Sequence, residues 1–213
     1  MWFNKQGPAL VYDDEHPDHM IIARDISERG HKRYGVFPRS QVDEFEGPYN
    51  ELIRTHAVCR LYFDLDGDPS SSDEETEDVV EQLLVEVKAK LAEVYNIEPG
   101  QPIVLCSSNE TKFSKHIVYP GVHFLNNWEH MRNFVQLIEH PLVDHSVYSR
   151  NRCFRMAGCH KFGDPERIFR PGRPSSALVC HPSATPLEFA TVKKTVSGKQ
   201  GRASLWVLSD FGF

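Results

Sequence analysis

No apolar run in this 213-residue chain approaches the about 20 consecutive apolar residues that span a bilayer, so no membrane partner is expected. The opening residues, Met1-Trp2-Phe3-Asn4-Lys5, are followed by no apolar core of a secretory signal. The five cysteines, Cys59, Cys106, Cys153, Cys159 and Cys180, form no Cys-x-x-Cys pair. Odd in number and widely spaced, they argue against a disulfide framework and read as reduced thiols of an intracellular protein. Internal repeats and low-complexity tracts are missing. Positive charge is scarce overall: 24 Lys and Arg stand against 30 Asp and Glu, a formal net charge of −6. Any contact with nucleic acid must therefore rest on a local positive field, not a global one. The remainder, 40% hydrophobic and 25% charged, is ordinary globular composition, sufficient for one large domain or two small modules.

Hydrophobic patterning places the elements. Residues 1–18, rich in Pro, Asp and His, read as irregular. Met20–Ala23 and Arg33–Phe37 read as strands joined by a turn at Glu28–His31. Pro48–Arg54 reads as a short helix or loop, and Val58–Asp66 as a strand. Ser71 and Glu74 are spaced as a capping box. Val80, Leu83, Leu84, Val87, Leu91 and Val94 then recur at helical spacing. The acidic start of that helix, Asp73 to Asp78, complements its dipole and reads as solvated rather than as a metal site. Ile103–Leu105 and Lys112–Tyr119 read as strands, and Trp128, Met131, Phe134, Val135 and Ile138 as a second amphipathic helix. A strand or extended segment follows over Val143–Met156, and a short strand over Ala177–Cys180. Strands in a run, interrupted by helices, predict an α+β fold with a mainly antiparallel sheet covered by helices.

Three clusters carry chemistry. In Arg60-Leu61-Tyr62-Phe63-Asp64-Leu65-Asp66-Gly67, strand alternation sends Leu61, Phe63 and Leu65 into a core and sets Asp64 and Asp66 side by side on the other face. Two carboxylates so placed repel unless a cation joins them, and hard cations such as Mg²⁺ or Mn²⁺ take carboxylate oxygens and leave room for phosphates. A solvated Asp-x-Asp turn is the ordinary alternative. In Lys112-Phe113-Ser114-Lys115-His116, a strand puts Lys112, Ser114 and His116 on one face, a donor set that matches phosphate oxygens. Partly exposed strand residues are the alternative here. The third cluster runs from Val143 to Met156. Asp144 offers a third carboxylate, and Arg150, Arg152, Arg155 and Lys161 put four cations within twelve residues. Arg152 and Arg155 are three apart, so either a bulge intervenes or only one of them reaches a common site. A solvated basic edge strand is the alternative. Together the clusters supply carboxylates for metal and cations for a polyphosphate, the pair of needs that phosphoryl and nucleotidyl transfer share.

Order and spacing of these motifs resemble the catalytic core of the archaeo-eukaryotic primase superfamily, nearest its PrimPol and herpesvirus-type primase branch. Phe63-Asp64-Leu65-Asp66 is similar to the first motif, with Asp66 where PrimPols commonly carry Glu. Lys112-Phe113-Ser114-Lys115-His116 is similar to the second, Val143-Asp144 to the third, and Val147–Arg155 to the segment after it. Gly30-His31-Lys32-Arg33-Tyr34 is similar to a basic segment before the first motif. The resemblance covers about residues 28–162. It implies a two-module core: an N-terminal αβ module at 1–57 with later return segments, an RRM-like module at 58–162, and an unassigned tail at 163–213 packed on the core. It implies that Asp64, Asp66 and Asp144 ligate two Mg²⁺ or Mn²⁺ ions and act as the catalytic acids. Lys112, Ser114, His116, Arg152, Arg155 and Lys161 would then hold a nucleoside triphosphate, and Arg33 would sit near template or base. The implied activity is DNA-directed primase and polymerase action on a single-stranded DNA template and primer. A monomer is implied, with a helicase or single-strand-binding protein as a further partner. Nucleus, mitochondrion and viral replication site are all consistent with it.

Lys32, Arg33, Arg39 and Arg150 are candidates for a groove that carries the template. Longer family members carry a zinc region after the core. Here Cys153, Cys159, His160, Cys180 and His181 fit no usual finger spacing, so zinc is not expected in this chain. The chain stops at Phe213, soon after Leu205-Trp206-Val207-Leu208, as a catalytic fragment of a larger protein would, which makes primer extension a safer expectation than primer initiation. Two other classes compete. A metal-dependent nuclease or phosphodiesterase would share the paired carboxylates without needing the Lys/Ser/His/Arg set. A catalytically inactive nucleic-acid-binding module would have no reason to gather negative charge beside phosphate.

Overall fold

A computed structural model describes residues 1–68 and 73–180, and the side chains of 73–76 are not considered. Two antiparallel sheets and a hairpin organise it, giving the α+β class expected from the pattern. The first sheet has the order β1-β3-β2-β4-β8, built from β1 (Trp2–Phe3), β2 (His19–Asp25), β3 (Lys32–Pro38), β4 (Tyr49–Ile53) and β8 (Arg152–Arg155). The second has the order β5-β7-β6, from β5 (Cys59–Gly67), β6 (Ile103–Cys106) and β7 (Phe113–Phe124). A small hairpin pairs β9 (His160–Lys161) with β10 (Asp164–Ile168).

One face of the three-stranded sheet is buried under helices. Leu61, Phe63 and Leu65 of β5 share a core with Val80, Leu83, Val87 and Leu91 of α2 (Asp73–Tyr95). Each such buried side chain contributes about 1.5–3 kcal/mol through loss of apolar surface to water. Asn96, in the left-handed region at φ 54°, follows α2 directly. The predicted second helix is broken into two forms. A wide i→i+5 turn over Asn127–Met131 passes into the single α-turn of α3 (Arg132–Val135). The Asn126 side chain accepts from Glu129 N and His130 N at the turn's start, and Met131, Phe134, Val135 and Ile138 are buried as their spacing predicts.

Four local readings are corrected. Residues 1–18 hold a helix, α1 (Gln6–Asp14), whose Pro8 falls in the first turn, where a missing N–H costs nothing. Packing of Ala9, Leu10 and Tyr12 against Ile21, Val36 and Leu52 decides that helix. Pro48–Arg54 is chiefly strand β4, an inner strand between β2 and β8. Its buried Asn50 and Glu51 hide the strand signal. Of Val143–Met156 only Arg152–Arg155 is a strand, preceded by a 3₁₀ turn at His145–Val147. Ala177–Cys180 pairs in no ladder: it follows a 3₁₀ turn at Pro174–Ala177 and is buried. The proposed capping box at Ser71 lies outside the described residues, as do His181 and Leu205–Leu208.

Candidate active site

The face of the three-stranded sheet turned away from α2 brings the first two clusters into register. Asp64 stands opposite His116, and Asp66 opposite Ser114. Leu105 of β6 continues the first row. The third acid is docked by backbone: Asp144 N donates to Asp64 O at 2.9 Å, Asp66 N donates to Leu142 O at 3.1 Å, and Leu65 bridges Val143. Asp144, distant in the chain, thus joins Asp64 and Asp66 at one end of β5.

Electrostatics register that meeting. The Asp64 carboxyl is pushed up to about 7 by burial first, then by the charges of Asp66 and Asp144, while Arg152 and Arg155 pull it back. His116 is buried and sandwiched between Phe154 and Phe169, with ring centroids 4.1 and 3.7 Å away. Burial, and then the Arg155 guanidinium, hold its pKa well below the ordinary histidine value, so the imidazole is neutral. Its Nε2 lies 3.5 Å from Asp64 Oδ1.

Among the described residues, no three His, Cys, Asp or Glu side chains are closed around a point that would hold a metal ion. The reason is visible in the partners. Asp66 Oδ2 takes the Lys112 ammonium at 2.8 Å, and Asp144 accepts from Ser146 N at 2.8 Å and Ser146 Oγ at 3.0 Å. Acids that repel one another turn to the nearest donors. The backbone arrangement, the all-oxygen donor set and the raised Asp64 carboxyl nevertheless fit a hard divalent cation, which would relieve the repulsion.

The cations come from β8. It pairs with β4 in regular register, Ile53 opposite Arg152 and Asn50 opposite Arg155, with no bulge. Both charges still act on Asp64, because β8 is an edge strand that meets the second sheet where Phe154 stacks on His116. Neither Arg152 nor Arg155 is in an ion pair among the described residues, and the Nε of each is buried without a partner. Burial pulls the Arg155 pKa down, and Asp25 and Asp64 pull it back up. Half-buried guanidinium groups in no ion pair make a receptor for an anion.

The other predicted residues are placed less centrally. Lys161 is exposed on the β9–β10 hairpin and in no ion pair among the described residues. Arg33 is exposed on β3 with its guanidinium 5.9 Å from the centre of the Trp2 ring. Arg150 lies 4.1 Å over Trp128, and Arg39 Nη1 donates to Cys180 O at 3.2 Å. Lys32 is paired with Asp25. Sequence reasoning missed Ser107, whose buried hydroxyl has no partner beside Ser114, and Arg167, whose Nε donates to Ser107 O at 3.1 Å. It also missed Phe169. A hydroxyl in the loop after β6 was the only signal for Ser107, and Arg167 and Phe169 carried none.

Fold and site therefore define an α+β protein in which three acids meet at the end of one strand, with two half-buried arginines acting on them from a second sheet. Comparison with known proteins gives that class a relative. A 98-residue stretch is 36% identical to the DNA-directed primase/polymerase protein of Mus musculus, a 99-residue stretch 34% identical to that of Homo sapiens, and a 98-residue stretch 36% identical to that of Danio rerio. Each match covers 44% of this chain and 18% of the relative, so the chain matches less than a fifth of the length of these proteins. No protein-family model matches the chain. A region of the chain is thus related to primase–polymerase proteins.

Proposed function

We propose that this chain is the catalytic core of a template-directed nucleotidyltransferase, a primase–polymerase of the PrimPol and herpesvirus-type branch that extends primers on single-stranded DNA from nucleoside triphosphates. In this reading the five-stranded sheet belongs to the N-terminal module at 1–57 with β8 returned to it, and the rest of 58–162 is the RRM-like module. The location is intracellular. One observation carries the reading: three acids share the end of β5, and the charges of two half-buried arginines that are in no ion pair among the described residues act on Asp64.

Asp64, Asp66 and Asp144 would hold two Mg²⁺ or Mn²⁺ ions, which supply charge neutralisation at the attacking and leaving oxygens. Arg152 and Arg155 bind triphosphate oxygens through their paired N–H groups. Ser114 adds a hydroxyl from the same row. Neutral His116 has one ring N–H to donate, and Phe154 and Phe169 fix the plane in which it does so. Lys112, now on Asp66, would be within the same cluster to meet phosphate. Lys161 closes over the phosphates from its hairpin, and Arg33 meets template or base.

Incubation with labelled primer–template, Mn²⁺ and deoxynucleotides tests this. Extension, lost in Asp64→Ala/Asp66→Ala, is the expected result. Shortening of the primer would establish a nuclease instead, and single-strand binding without either change would establish an inactive binding module.

A further inference from the structure

A row of polar side chains crosses the first sheet. Arg155 on β8 stands opposite Asn50 on β4, and Asn50 opposite Ala23 on β2. Asp25, two residues beyond Ala23 and so on the same face, stands opposite Lys32 on β3. Contacts follow the row. Asn50 Nδ2 donates to Ala23 O at 3.3 Å and to Asp25 Oδ2 at 3.4 Å, and the Lys32 ammonium is ion-paired with Asp25 Oδ1. Asp25 and Asn50 are buried, and a buried carboxylate needs a cation. Among the described residues two cations of this row can supply one. Lys32 does so, and Arg155 is in no ion pair. Asp25 is nonetheless the acid whose charge acts most on Arg155, ahead of Asp64.

We propose that Lys32 keeps Asp25 neutralised and thereby leaves the Arg155 guanidinium free for the phosphates of the incoming nucleotide. Lys32 is then a positioning residue that acts through Asp25, and not a contact of template or nucleotide. Without its ammonium, Asp25 captures Arg155 and the anion receptor closes. The inference rests on reading the site as a triphosphate site.

The test is binding of a fluorescent deoxyadenosine triphosphate analogue to the full chain in Mn²⁺, without primer, followed by nucleotide titration of extension. Lys32→Met should weaken binding at least about tenfold and raise KM with kcat within about twofold. Asp25→Asn should bind as tightly as wild type or more tightly. Lys32→Met/Asp25→Asn should return binding to within about threefold of wild type. Unchanged binding by Lys32→Met, or a double variant as weak as Lys32→Met, overturns the inference while the site reading stands. If Lys32→Met does not fold, Asp25→Asn decides alone, and weaker binding by it overturns the inference. Failure of the wild type itself to bind the analogue overturns both.

Discussion

Among the described residues two acids have carboxyls pushed up to about 7, the buried Glu51 and the half-buried Asp64, and they differ in what surrounds them. Glu51 is finished. Its two oxygens accept from Val179 N at 2.7 Å and Cys180 N at 2.9 Å, and Arg39 and Arg60 favour its charge, so burial alone raises it. Asp64 is unfinished. Burial raises it, two more acids raise it further, and its nearest side-chain donor is a neutral imidazole at 3.5 Å. A buried acid met by backbone N–H groups is holding a segment in place. A buried acid met by other acids is waiting for a cation.

The comparison breaks most easily at its functional end. Asp64→Ala/Asp66→Ala should abolish extension, a loss of at least about a thousandfold in a primer assay. The same variant should melt at the wild-type temperature or above, because it removes repulsion. Glu51→Ala should do the reverse. Two buried N–H groups lose their acceptor, at about 1–3 kcal/mol each, so urea unfolding should show the chain less stable by about 2–6 kcal/mol. Extension by its folded fraction should persist. Arg155→Ala should raise the nucleotide requirement about tenfold or more and leave single-strand DNA affinity within about twofold. Equal effects on both would place Arg155 in the groove, not the receptor.

A further effect is in pH. Glu51 has a folded pKa of about 7 against an ordinary 4.5, so between those values the folded state keeps a proton that the unfolded chain has released. Stability from this group is complete below the lower value and is lost as pH rises to the upper one. Tm of the wild type should therefore fall relative to that of Glu51→Gln from about pH 4.5 to 7, and the two curves should run parallel above. Parallel curves throughout would show that Glu51 is ionised in the folded state across the whole window.

Strand alternation made β5 and β7 legible, and with them the rows that set Asp64 against His116 and Asp66 against Ser114. Helical spacing did the same for α2. Where polar residues are buried the pattern misleads: Asn50 and Glu51 made an inner strand read as a short helix or loop, because their partners, Ala23, Asp25, Val179 and Cys180, are distant along the chain. The spacing of Arg152 and Arg155 likewise left open a bulge or a single contact, and the register of β8 shows no bulge. An edge strand meeting a second sheet lets both charges act on one acid, a fact of tertiary packing that three-residue spacing does not encode. Phe169 and Arg167 reach the site from a segment with no local signal at all.

Mn²⁺ titration followed by electron paramagnetic resonance, with and without a non-hydrolysable nucleoside triphosphate, addresses the three acids most directly. Wild-type protein should bind the ion, and more tightly with the triphosphate present, while Asp64→Asn should lose that binding and Glu51→Gln should keep it. Equal binding by wild type and Asp64→Asn, or no binding by the wild type, would contradict the account.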